Sequence, residues 1–182
     1  MRRIAVWSVG VVAALAQPAM AGVTELAAVG PWQAFHVSGD DGRSLCGISQ
    51  SNGRLHFHIK FNNERMAFVH LGKTGWAVPA DAQISIAFDV DGRHLLTLPF
   101  RATDNPSLII GLLTPEQAAG LLDRFSLGDL MQIRFLTGSE GGWDVPLQGS
   151  YRITQEFLRC VTERLTASQP FEAALPGQTQ PF

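Results

Sequence analysis

Apolar and polar residues alternate along most of the middle of this chain, and the stretch Leu55 to Phe61 shows it best. Leu55, Phe57, Ile59 and Phe61 fall on one side and His56, His58 and Lys60 on the other, the period-2 pattern of a half-buried strand. Asn62, Asn63 and Glu64 read as a hairpin tip, with Arg65 to Leu71 as the returning strand. Upstream, Trp32 to Val37 alternates, and Ser44 to Ser49 carries Cys46 and Ile48 on one face. Val23 to Val29, followed by Gly30-Pro31, reads as a punctuated lead-in to the first strand. Downstream, Ile84 to Val90 and Arg93 to Phe100 flank Asp91-Gly92, a two-residue hairpin signal. Ser107 to Leu113, Met131 to Leu136 and Trp143 to Leu147 complete the strands.

Two segments change period. Thr114-Pro115-Glu116-Gln117 combines an N-cap threonine, a proline at the first helical position and a glutamine three residues on, a capping box. Ala118, Leu121, Leu122 and Phe125 form the apolar stripe of the helix it starts. After a turn at Gly149, Ser150 reads as the N-cap of a second helix with Ile153, Phe157, Cys160 and Val161 on one face. Eight to ten short strands, mostly joined as hairpins, and two helices late in the chain predict a mainly β domain. An antiparallel β-sandwich or flattened barrel is the architecture expected.

Both ends depart from this pattern. Met1-Arg2-Arg3, the apolar run from Ile4 and Ala19-Met20-Ala21 have the form of a secretory leader over residues 1–21. The run is shorter than the roughly 20 residues a membrane-spanning helix needs, and Arg2-Arg3 lacks the flanks of a twin-arginine signal. The expectation is a periplasmic or secreted protein with no transmembrane anchor after cleavage. Residues 22–166 form its single domain. Residues 167–182, rich in proline and glutamine without periodicity, form a flexible tail.

The chain's formal charge is −2, and loss of Arg2 and Arg3 with the leader makes it more negative by two. With no basic run, nucleic acid is not an expected partner. The two cysteines, Cys46 and Cys160, most simply form a disulfide in an oxidising compartment. Two free buried thiols are the alternative. In the chain-entropy model, closing a loop of roughly a hundred residues stabilises by about 4–5 kcal/mol.

Candidate chemistry is sparse. His56 and His58 project from the same strand face, and a three-residue loop pairing Phe61 with Arg65 would set His70 opposite His56. The three imidazoles could then hold Zn²⁺ or Cu²⁺. That parity places Met66 and Phe68 outside and Ala67, Val69 and Leu71 inside. A slip of one residue would reverse it and break the cluster. No cofactor is expected otherwise. Ser38 and Ser139 lie near carboxylates but without the strand-to-helix setting of a nucleophile elbow, and Asp89-Val90-Asp91-Gly92 lacks the further carboxylates of a calcium loop. No catalytic residues are assigned. Trp32, Trp76 and Trp143 each stand near a strand end beside glycine or proline, either as core or as an aromatic surface.

A leader, Gly30-Pro31-Trp32, Cys46, Gly75-Trp76-Ala77, Asp91-Gly92 and the closing Leu147-Gln148-Gly149-Ser150-Tyr151 with Cys160 resemble the invasion-associated locus B family of proteobacterial periplasmic proteins. The resemblance spans Trp32 to Cys160. It implies a non-enzymatic, periplasmic or surface-associated β-rich module that binds a protein or cell-envelope component, with a role in host-cell interaction or envelope homeostasis.

Overall fold

The computed structural model describes residues 22–166, so the expected leader and the expected tail lie outside the described residues. The strands, in chain order, are β1 (Gly22–Val29), β2 (Trp32–Ser38), β3 (Ser44–Ser51), β4 (Leu55–Asn62), β5 (Ala67–Lys73), β6 (Gln83–Val90), β7 (Arg93–Ala102) and β8 (Leu108–Leu113). Helix α1 (Pro115–Leu127) follows, then β9 (Leu130–Phe135), β10 (Trp143–Pro146), α2 (Ser150–Cys160) and a π-helical turn, Val161–Thr166. All ten strands join one open antiparallel sheet in the order β1-β2-β3-β4-β5-β8-β7-β6-β9-β10. The fold is therefore mainly β with two late helices. β1 and β10 are its free edges, so the strands form neither two separate sheets nor a ring closed by hydrogen bonds.

β1 is a full strand rather than the lead-in that its sequence suggests. Its burial is weak and aperiodic, and a bulge between Glu25 and Ala27 breaks the alternation that would have revealed it.

Alternation divides the sheet into two faces. Trp32, Ile48, Phe57, Ile59, Val69, Leu71, Ile109 and Phe100 are buried on the inner one. Both helices lie there: α1 packs on β5, β7 and β8, and α2 packs on β1, β2, β3 and α1. Phe125 of α1 meets the edge of Trp32 at 4.8 Å between ring centroids and stacks on Phe57 at 6.3 Å. The Cys46–Cys160 disulfide, with Cα atoms 6.0 Å apart, ties α2 to β3 across that core.

The helix starts follow different rules. Thr114 forms the full capping box with Gln117, each side chain taking the other's backbone N–H. Ser150 does not cap α2. Gly149 is the N-cap, in a left-handed conformation at φ 91°, and Ser150 is the buried first helical residue. The chain turns from β10 into α2 so close to Val29 that a Cβ on Gly149 would meet its Cγ1 at 3.0 Å.

Candidate functional site

The outer face of β2 to β5 and β8 brings the predicted histidines together. The β4–β5 register pairs Phe61 with Ala67, so His70 faces His58, while His56 faces Gly72. The expected pairing of His70 with His56 is corrected by two residues, which preserves the shared face. Asn62 causes the longer turn: its side-chain oxygen accepts from the backbone N–H groups of Glu64 and Met66, and its own N–H donates to the Met66 carbonyl. Arg65 takes a left-handed conformation at φ 63° to complete it. As that parity requires, Ala67, Val69 and Leu71 are inside and Phe68 lies outside with the histidines.

These imidazoles are half-buried rather than free in solvent. The Lys60 ammonium donates to His70 Nδ1 at 3.1 Å, which leaves the proton of the neutral ring on Nε2. Phe68 sits 5.2 Å from the His70 ring, and Phe35 reaches the edge of His58 at 6.1 Å. Phe35 can do so because Gly47 lies beneath it; a Cβ there would come within 2.3 Å of the phenyl ring. His58 Nδ1 is buried and has no partner among the described residues. His56 Nδ1 is bound to Ser51 Oγ at 2.9 Å.

Burial, then the positive charge of Lys60, pushes His58 down to about 3 and His70 down to about 4, with the neighbouring imidazoles adding to the effect on His58. Burial also lowers Lys60. At neutral pH His58 and His70 are neutral. Among the described residues no three histidine, cysteine or carboxylate side chains are grouped as a metal would require.

The tryptophans divide. Trp32 is completely buried in the core with its indole N–H unpartnered among the described residues, so it contributes nothing to an aromatic surface. The glycine and proline before it mark the β1–β2 turn, from which the ring points inward. Trp76 and Trp143 stack at 5.4 Å, and Phe135 touches both.

Glu140, in a loop that reads as flexible by composition, accepts from Lys73 at 2.8 Å and from both indole N–H groups at 3.0 Å. The cluster latches the β9–β10 loop to the end of β5, and its only sequence signal is a lone carboxylate near tryptophan. Asp89, weighed in the sequence only as part of a calcium-loop pattern, belongs to a second cluster. It is buried on β6 and is held by Arg134 and by His94 Nδ1. These bonds hold its carboxyl below the usual range, the Arg134 bond most strongly.

No helix among the described residues is long and apolar enough to cross a membrane. No protein-family model, curated protein or solved structure matches this chain. The resemblance to the invasion-associated locus B family thus rests on the short stretches quoted for it.

Proposed function

We propose that this protein is an exported, non-enzymatic binding module that engages a protein or cell-envelope component through the outer face of its sheet. One observation carries the reading: neither helix covers that face, yet it presents half-buried Phe35 and exposed Leu112 beside a lysine that has no carboxylate partner among the described residues. Leu112 and neighbouring Met66 are 50% and 44% exposed. Apolar groups left open beside a desolvated charge are what an interaction surface offers. In this reading the sheet curls as a flattened barrel around the two helices and turns this face outward in the periplasm. The family resemblance points the same way.

A photo-crosslinker at position 112 of the mature domain is expected to label a specific component of an envelope extract, and one at Leu127, 69% exposed elsewhere, is not. Equal labelling from both positions removes the reading. The cross-strand pair His58 and His70, with His56 on the same face, supports a second one, a Zn²⁺ or Cu²⁺ site. Thermal melting with each metal tests it: wild type gains stability and His58→Ala does not.

A further inference from the structure

The β6–β7 hairpin and the end of α1 frame a cavity of about 420 Å³ that the outer-face reading does not use. Its size is within the range of small-ligand sites, roughly 300–1,000 Å³. Arg93 enters the lining from the start of β7 and Arg124 from the last turn of α1. Neither guanidinium has a hydrogen-bond or ion-pair partner among the described residues. Arg43, Arg134 and Arg159, by contrast, are each bound to a carboxylate.

The two elements that carry these arginines are held against each other. Gly128, just after α1, packs so closely on the hairpin that a Cβ there would come within 2.4 Å of Val90 Cγ1. Asp91 is the one acid in the lining, and its charge is already engaged: Oδ1 accepts from the backbone N–H groups of Asp129 and Leu130, each at 3.0 Å. His94 is fixed as well. Its Nδ1–H donates to the Asp89 carboxylate at 2.9 Å, and its Nε2 lies 3.4 Å from the Thr97 hydroxyl. A carboxylate can only accept, so the proton of the neutral ring stays on Nδ1 and the imidazole has no N–H to offer a ligand. The free side-chain donors of the lining are the two guanidinium groups.

We infer that this cavity binds a small soluble phosphate monoester, its phosphate held between Arg93 and Arg124 and its organic group against Leu95 and Leu127. A carboxylate pairs face to face with one guanidinium fork, whereas the three terminal oxygens of a phosphate monoester take a fork on each of two sides. The two cations of the lining outweigh Asp91, and Asp89, outside the lining, is neutralised by Arg134. Leu127 is 69% exposed and Leu95 half-buried, so an apolar or aromatic substituent gains contact there that inorganic phosphate lacks. The site is separate from the outer face and independent of that reading. A small soluble ester is lost when an envelope extract is prepared, so Leu127 still serves as the crosslinking control.

Phenyl phosphate titrated into the mature domain by isothermal calorimetry is the test. Saturable one-to-one binding is expected. Arg93→Gln and Arg124→Gln each weaken it about tenfold or more, the usual loss for a hydrogen bond to a charged group. Arg101→Gln, at an exposed arginine of β7 outside the cavity, leaves it unchanged, and all three variants keep the wild-type melting profile. Benzoate and inorganic phosphate bind more weakly, and vesicles containing phosphatidic acid do not compete. The proposal is overturned if phenyl phosphate does not saturate or if benzoate or inorganic phosphate binds as tightly. It is equally overturned if Arg101→Gln weakens binding as much as the cavity variants, or if the vesicles bind while phenyl phosphate does not.

Discussion

Glu140 shows how a single side chain can order a loop that composition marks as mobile. Its carboxylate is mostly buried, which alone would raise its pKa, but donors from Lys73, Trp143 and Trp76 outweigh burial and leave it below the ordinary value. Glu140→Ala strands one ammonium and two indole N–H groups, and a loss of about 2–4 kcal/mol is expected by urea unfolding at neutral pH. Because the folded carboxyl is depressed, its contribution is present above the unfolded carboxyl's pKa and disappears as pH falls through the folded one. The gap between wild type and Glu140→Gln should therefore close in acid; a gap independent of pH would mean that the charge is irrelevant.

The histidines act in the opposite sense. In the unfolded chain His58 and His70 protonate near their ordinary value of 6.5, but when folded only at about 3 and about 4. Stability should fall as pH drops below the unfolded value and level off once the folded rings also protonate. A His58→Gln, His70→Gln double variant should flatten that slope. Strand alternation made the shared face of these rings legible. Their burial was not legible, because it depends on Phe35 lying across Gly47 from another strand.

Local chemistry wrote several elements openly into the chain. Asp91 and Gly92 take the positive φ values, 51° and 73°, that a tight hairpin between β6 and β7 requires. Thr114 and Gln117 close the capping box, and Thr114→Ala should cost about 1 kcal/mol, measured by denaturant titration. Gly149 stands in contrast. Serine is the better cap by preference, yet the sharp exit from β10 demands a left-handed residue against Val29, and backbone strain decided the position. Gly149→Ala should cost more than Thr114→Ala, about 1–3 kcal/mol, since it adds a close contact to an unfavourable φ. If alanine is accepted at no cost, the α2 start is less constrained than its geometry implies. β1 escaped detection for a comparable reason: an edge strand with a bulge need not alternate, and pairing with β2 alone defines it.

At the scale of the molecule, strand order was beyond the reach of any local pattern. β5 turns to β8 and β6 to β9, non-consecutive pairings that depend on contacts between segments far apart in the chain. The one long-range tie that the sequence did expose is covalent. Cys46 and Cys160 are joined across 114 residues, linking β3 to the last turn of α2. In the chain-entropy model this bond constrains the unfolded state by about 4–5 kcal/mol, a large share of a domain's usual 5–15 kcal/mol. It does not hold α2 in place alone, because Ile153, Phe157 and Leu165 bury their side chains in the same core. A Cys46→Ala, Cys160→Ala variant should therefore lose up to that amount and still unfold as one body. Far-UV circular dichroism, which follows the sheet and helices, and tryptophan fluorescence, which follows Trp32 in the core together with Trp76 and Trp143 at the other cluster, should give coincident transitions. A helix signal that melts ahead of the tryptophan signal would show that the disulfide, rather than apolar packing, keeps α2 on the sheet.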